Sequence, residues 1–525
     1  MSSGRGLIGR RRGGNTWLRT GLIIFIVIFI SLQINFLSYR GSNDSNSELN
    51  DSNAAILSMV PAVLHKFLTP RPRNVSNSLG LNGTTGANSA YSKGTLNISD
   101  IKRNIAQYNL QQTVYNEDIF GPLQNDSVVI VIQIHDRITY LRHLIVSLAQ
   151  ARGISQALLV FSHDFYDEEI NSLVQSVDFC KVIQIFYPYS IQTHPHEFPG
   201  EDPNDCPRDI KREQALIQKC NNALYPDLYG HYREAKFTQT KHHWWWKANR
   251  VFNQLEITRN HTGLVVFLEE DHYVAEDFIY ILRLMEKTCK ESCKHCNILS
   301  LGTYLKTFNY YGDAKKKEAL RAIKQQSIIS AGQVHPSWTF QVLPSLYQHS
   351  QKVASACLHV ALCVHQFHHA QSRILQVFKS DVFKVEITPW ISSKHNMGMA
   401  FNRSTWMDIV GCADYFCKYD DYNWDWSLQH ISQNCLKHKF HAMVVRGPRV
   451  FHIGECGVHH KKNNCESTAV ISKVQQVLNT AKRHLYPNYL TLTYTTLLKK
   501  TKLRKGNGGW GDRRDHKLCM SMTLR

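Results

Sequence analysis

Residues 264–274 read LVVFLEEDHYV, five apolar residues suited to a buried β-strand and then Glu269, Glu270 and Asp271 in succession. A buried strand cannot end in unpaired charge, so these acids need a cation, a hydrogen-bond network or an open cleft. Their surroundings repeat one pattern. VVIVIQIH (128–135) reads as a strand, followed by the helical spacing of Leu141, Leu144, Ile145 and Leu148. ALLVFSHD (157–164), EEINSLVQSV (168–177) and KVIQIFYP (181–188) continue as strand, helix and strand; EDFIYILRLMEK (276–287) and NILSLGTY (297–304) add a helix and a strand. Such alternation predicts an α/β, Rossmann-like domain whose mostly parallel central sheet carries helices on both faces. Ligands of such sheets bind beyond the carboxyl ends of the strands. Three strands end there in polar clusters: His135–Asp136–Arg137, Ser162–His163–Asp164 and Glu269–Glu270–Asp271.

A divalent ion with oxygen ligands is a natural partner for Asp271, because the same ion can grip two phosphates. The competing reading is a helix N-terminus near Ala275, where acids are stabilising in the first turn. That accounts for one or two carboxylates but not three. No G-x-G-x-x-G follows the first strand and no Walker lysine loop occurs, which removes the support for a dinucleotide oxidoreductase or a P-loop enzyme.

The chain has 525 residues, a net charge of +19 and a pI near 9.3, a balance that favours anionic partners. Nucleic acid is not expected, since no arginine-rich helix, zinc-finger spacing or RNA-recognition signature accompanies the charge. Arg5, Arg10, Arg11, Arg12 and Arg19 precede GLIIFIVIFISLQINFL (21–37), which holds no charged residue. With Trp17 and Leu18 the stretch is long enough to cross a bilayer. The basic flank stays cytoplasmic, so the C-terminal bulk is expected in a lumen. A cleaved signal peptide would have a shorter apolar region and a small-residue cleavage site. The expected organisation is a cytoplasmic tail (1–16), a signal anchor (17–37), a Ser/Asn/Gly/Thr-rich flexible stem (38–105) and a catalytic domain (106–525). Sequons at Asn43, Asn50, Asn74, Asn82, Asn97, Asn125, Asn260 and Asn402 and 14 cysteines fit an oxidising lumen. Residues 313–379 differ from the rest: a charged, helix-like opening leads into an irregular stretch with Cys357, Cys363, His365, His368 and His369. An insertion loop is favoured there over a metal site.

Six stretches carry a resemblance to one family: FLEEDHY (267–273), FSHDF (161–165), GHYREAKFTQTKHHWWWK (230–247), YDDYNWDW (419–426), CGVHHKK (456–462) and NGGWGD (507–512). In these the chain resembles the N-acetylglucosaminyltransferase II family, lumenal Golgi enzymes of the GT-A fold. The resemblance implies a type II Golgi membrane protein that moves GlcNAc from UDP-GlcNAc, in β1,2 linkage and with inversion, to the α1,6-arm mannose of an N-glycan. It makes Asp271 and His452 the ligands of Mn²⁺. It lays the donor against Gln133, Ile134, His135, Asp136 and Arg137, with Asp164 and Gln239, Thr240, Lys241, His242 and His243. Arg137 or Lys241 is expected to approach phosphate. Asp425 becomes the catalytic base, its pKa raised by the flanking tryptophans. On pattern alone Asp420, Asp421 and Asp425 read equally as turn and helix-cap acids.

Trp246, Tyr422 and Trp424 are candidates for an acceptor cleft, since aromatic faces pack on sugar rings. Three consecutive tryptophans (244–246) cannot all face one way, so at least one belongs to the core. The resemblance also implies disulfides Cys206–Cys220, Cys293–Cys296, Cys412–Cys435, Cys417–Cys519 and Cys456–Cys465. Cys180, Cys289, Cys357 and Cys363 are left over. Phe308 stands where the family is expected to carry an arginine near the donor. The rival readings are a glycan-binding protein that has lost turnover, a lumenal glycosidase and a sister transferase acting on the other arm.

Overall fold

The computed structural model describes residues 57–69, 97–302, 384–454, 467–482, 485–494 and 506–523. The anchor (17–37), Asn43, Asn50, Asn74 and Asn82, Phe308, the 313–379 stretch and the Cys456–Cys465 pair lie outside them. Among the described residues no helix is long and apolar enough to cross a membrane. The chain divides at Pro61–Ala62, and the sheets, the site and their helices all belong to the unit Ala62–Arg525.

The strands are β1 (Val114–Tyr115), β2 (Val129–Ile134), β3 (Leu158–His163), β4 (Lys181–Phe186), β5 (Val265–Glu269), β6 (His272–Val274), β7 (Ile298–Ser300), β8 (Lys384–Pro389), β9 (Met399–Phe401), β10 (His441–Val445), β11 (Val450–His452) and β12 (Thr491–Tyr494). The helices that frame the sheet and the site are α1 (Ile98–Gln111), α2 (Ile138–Ala149), α3 (Glu168–Gln175), α4 (Ala235–Asn249), α5 (Phe278–Ser292), α6 (Arg403–Gly411), α7 (Ala413–Lys418), α8 (Trp424–Asn434) and α9 (Arg513–Ser521).

One large sheet runs in the order β1-β4-β3-β2-β5-β9-β7-β10-β8-β12. From β4 to β5 it is parallel throughout, as expected of strands apolar on both faces. Beyond β5 it is mixed: β9 is antiparallel to both β5 and β7, β7 pairs parallel with β10, and β8 is antiparallel to β10. The expected parallel sheet is therefore real on the side that carries the acidic turn. Of the predicted strand at 297–304, Ile298–Ser300 is strand, and residues 303 and 304 lie outside the described residues.

The core joins Val131, Val160, Ile185 and Phe267 of the sheet to Trp244 and Trp245 of α4. Each such side chain removed from water contributes roughly 1.5–3 kcal/mol. Four disulfides implied by the resemblance are formed: Cys206–Cys220, Cys293–Cys296, Cys412–Cys435 and Cys417–Cys519. Among the described residues Cys180 and Cys289 are free.

Packed structure reaches back past residue 106, where the sequence places the domain's start. Helix α1 begins at Ile98, capped by Asn97, and lays Ile101 and Ile105 on Phe186. A stretch within the expected stem also packs. Phe67 is buried edge-on against Phe179, and Arg142 Nη1 of α2 donates to the Phe67 carbonyl at 3.0 Å. Composition did not announce this, because two apolar side chains suffice to dock a short segment.

Candidate functional site

Parallel register sets the site. Gln133 of β2 lies opposite both Ser162 of β3 and Glu269 of β5, so the three polar clusters emerge side by side. Backbone bonds continue the ladder past the strand ends: Asp164 N donates to Ile134 O at 3.1 Å and Glu270 N to Gln133 O at 2.9 Å.

The three acids have different fates. Glu270 is buried and fully engaged. Arg137 Nε donates to its Oε1 at 2.6 Å and the His135 backbone N–H to its Oε2 at 2.8 Å. Burial nevertheless pushes its pKa up to about 7, against the pull of Arg137. Glu269 is half-buried at the end of β5, and burial followed by the charge of Asp271 raises it, while Lys247 opposes. Asp271 is buried in the turn. Its Oδ2 accepts from Arg137 Nη1 at 2.8 Å and stands 3.2 Å from His452 Nε2. Burial alone would raise Asp271, but His452 and Arg137 hold it well below the usual carboxylate range.

A second, two-stranded sheet brings His452 there. β6 pairs antiparallel with β11, with His272 opposite His452, and Ile453 N donates to Asp271 O at 2.8 Å. The next residue must be small, because a Cβ on Gly454 would lie 2.4 Å from Asp271 Oδ2. Asp271 does not cap a helix: α5 begins only at Phe278, and Asp277 beside it is bound to Arg449.

These residues fit a divalent cation. Asp271 Oδ1 is buried with no hydrogen-bond partner among the described residues, and the same holds for His272 Nε2. Ligand atoms of Glu269, Asp271 and His272 lie within 4.8 Å of one another. Carboxylate oxygen with imidazole nitrogen is a donor set that suits Mn²⁺ and its neighbours in the transition series. The expected pair Asp271 and His452 is thus brought together. His272 was not picked from the sequence, although its place next to Asp271 on an exit strand was the available signal.

Behind the acids runs a chain of imidazoles. His135 Nδ1 meets Asp164 Oδ1 at 2.6 Å, His243 Nδ1 meets Asp164 Oδ2 at 3.2 Å, and His243 Nε2 meets Ser162 Oγ at 2.8 Å. Burial would lower His135, but the bond and charge of Asp164, with Asp136 and Glu270, raise it to about 9. Asp136, the next residue, is 3.8 Å from His135 Nε2.

Helix α4 places Gln239, His243 and Lys247 four residues apart on one face. Gln239 Oε1 accepts from Ile191 N at 2.6 Å, and Lys247 Nζ is bonded to Gln133 Oε1. The expectation that Gln239–His243 line the donor as a block is corrected by the helical period. Lys241 points the other way, its Nζ donating to Tyr419 O at 3.1 Å and Asp421 O at 2.9 Å and lying 4.0 Å above the Trp510 ring. It does not approach a phosphate site. His242 is buried against Asp515 at 2.9 Å, and Thr240 between these two directions is half-buried. Lys247 went unselected, although its spacing from His243 marks it for the same face.

Asp425 stands in the first turn of α8. Its Oδ1 accepts from Trp426 N and its Oδ2 from Asn396 Nδ2, both at 3.0 Å. Burial, then the charges of Asp421 and Glu269, push it up to about 7. Its neighbours are structural acids. Asp420 accepts from Leu228 N and Trp510 N, and Asp421 from Asn423 N and Asn507 N. Among the proposed acceptor aromatics, Trp424 is a correction: it stacks on Trp244 with centroids 4.7 Å apart and planes 1° apart, deep in the core. Trp244 and Trp245 are core as well. Trp246 is buried edge-on to Tyr187, and Tyr422 is half-buried against Phe237.

The family model described as N-acetylglucosaminyltransferase II matches residues 102–333 and 338–519. The alpha-1,6-mannosyl-glycoprotein 2-beta-N-acetylglucosaminyltransferase of Rattus norvegicus is 40% identical over 417 residues, 79% of each chain. The protein of that name from Homo sapiens is 39% identical over 79% of this chain and 78% of its own, and that from Arabidopsis thaliana 29% over 78% and 77%. Among solved structures, core-mannan synthase A of Aspergillus fumigatus in its Mn/GDP form aligns at 10% identity over 68% of this chain and 85% of its own, with a TM-score of 0.25, too low to decide fold or chemistry. On the breadth of the family match and of the relatives' identity, this chain belongs to the N-acetylglucosaminyltransferase II family.

Proposed function

We propose that this glycosyltransferase moves GlcNAc from UDP-GlcNAc, in β1,2 linkage, to the α1,6-arm mannose of an N-glycan. It does so as a GT-A enzyme anchored in the Golgi membrane with its catalytic unit lumenal. Asp271 and His452 would hold Mn²⁺. When bound, the ion neutralises charge on the departing diphosphate as a Lewis acid. The observation that carries the reading is the buried, unpartnered Oδ1 of Asp271, whose Oδ2 stands 3.2 Å from His452 Nε2, on the strand-end side of the sheet that also presents Asp164 and Arg137.

The chain's own residues do the rest. Glu270 and Asp271 hold Arg137 at the acidic turn, where its positive charge favours a phosphate nearby. Asp164 orients His135 and His243 beneath the donor's nucleoside. Asp425 takes the proton of the mannose 2-hydroxyl. That oxygen bonds to the anomeric carbon as the bond from that carbon to the diphosphate oxygen breaks, and the electron pair leaves with UDP. One displacement inverts the centre, so an α-linked donor yields a β-linked product, by the stereochemical logic that separates one- from two-displacement glycosidases.

Calorimetric titration of UDP with and without Mn²⁺ tests the site. Binding should depend on the metal, and Asp271→Asn or His452→Ala should weaken it by more than the roughly 10- to 100-fold lost when only a group supporting a metal ligand is removed. UDP binding of equal strength without metal, or in the Asp271→Asn protein, would remove the metal reading. A glycosidase would bind no UDP at all.

A further inference from the structure

We propose that Asn396 is a positioning residue for Asp425: its amide N–H aims the carboxylate at the acceptor hydroxyl, and its carbonyl oxygen receives a second hydroxyl of the same sugar. This rests on the reading of Asp425 as the base.

The geometry is specific. Asp425 receives one donor from its own helix, Trp426 N on Oδ1, and one from a different element, Asn396 Nδ2 on Oδ2. Two donors on two oxygens fix the rotation of the carboxyl group about its Cβ–Cγ bond. Because an ionised carboxylate only accepts, the amide must turn its nitrogen toward Asp425. The opposite end, Asn396 Oδ1, is then buried with no hydrogen-bond partner among the described residues. A buried amide oxygen left open next to the base has the chemistry to receive a hydroxyl proton.

The side chain is not what holds its own turn. The Trp390 indole N–H donates to His395 O at 3.2 Å, Ile391 N donates to His395 Nδ1 at 2.9 Å, and Gly302 N donates to Met397 O at 3.1 Å. Gly398 follows at φ +58°, with Val450 where a Cβ would go. Backbone on both sides is braced by other groups, so the amide can be altered without releasing the turn.

Among the described residues, the charges that push Asp425 up are those of Asp421, from the loop before α8, and Glu269, from the end of β5; both repel its ionised form. The Asn396 N–H opposes them by stabilising the carboxylate. Removing it should move the acid limb of kcat to higher pH.

The test uses the full-length enzyme in detergent, comparing Asn396→Ala, Asn396→Asp and Asp425→Asn. With Asn396→Ala, kcat should fall by up to about 100-fold, the cost of a misaimed reacting group, the acid limb should rise, KM for the glycan should increase, and UDP affinity should stay put. Asn396→Asp keeps the volume and an acceptor oxygen but adds a like charge, so its acid limb should rise further. An unshifted limb with kcat within twofold of wild type overturns the proposal. So does a loss of UDP binding or of the folded state in both variants, which assigns the residue to the scaffold. If Asp425→Asn still turns over, the base assignment falls and this proposal with it. A dead Asp425→Asn beside normal Asn396 variants overturns this proposal alone.

Discussion

Asp425 answers to catalysis and to stability with opposite signs. A general base serves best with its pKa near the working pH, and burial with the charges of Asp421 and Glu269 lifts this one to about 7. The acid limb of kcat/KM, which reports the free enzyme, should accordingly lie near that value. The same lift is a cost to the fold. A carboxyl raised above its ordinary 3.8 favours the native state only while protonated, so that stability is fully present below about pH 4 and is lost as pH rises through about 7. Asp425→Asn cannot ionise. It should abolish transfer, keep UDP affinity, and melt at a higher temperature than wild type at about pH 8, with the difference vanishing toward about pH 4. A variant that melts lower than wild type at the alkaline end would show that the carboxylate is paired by something that stabilises its charge.

Helices decide which residues of a motif can act together. Along α4 the side chains at Gln239, His243 and Lys247 share the face toward the strand ends, while Lys241 and His242 are spent on Tyr419, Asp421 and Asp515. A linear motif that looks like one binding block therefore divides into a site face and a core face. Helix ends matter as much. α3 starts at Asp167, whose Oδ1 accepts from Glu169 N at 2.8 Å and Ile170 N at 2.9 Å. Asp167→Ala leaves those two N–H groups without their cap and should cost about 1 kcal/mol in urea unfolding, with the m-value unchanged. A cost near zero would mean that water replaces the cap in full.

Across the whole unit, the C-terminal helix α9 closes the core from the far end of the sequence. Cys519 is bonded to Cys417 of α7, 102 residues earlier, and Asp515 receives both Arg233 Nε at 3.0 Å and His242 Nε2 at 2.9 Å. Asp515 is held down to about 2: burial alone would raise it, but Arg233 and His242 outweigh that. A crosslink over so long a loop stabilises chiefly by restricting the unfolded chain. The Cys417→Ala/Cys519→Ala protein should lose about 2–5 kcal/mol, measured by denaturant unfolding. It should also lose transfer in proportion to the folded fraction, since the bond lies behind the site and not in it.

From the order of residues alone came the parallel strands β2 to β5, the three polar strand ends and the acidic turn, because each is written in a local period or in adjacent residues. The resemblance supplied the pairing of Asp271 with His452, two residues 181 positions apart, and the four disulfides found. Tertiary structure alone decided the rest. It set the antiparallel β9 between β5 and β7, turned Lys241, His242 and Trp424 into the core, and raised Lys247, His272 and Asn396 to the site. The reason is physical: which way a side chain points is local, but what it meets depends on elements that only the folded chain brings near.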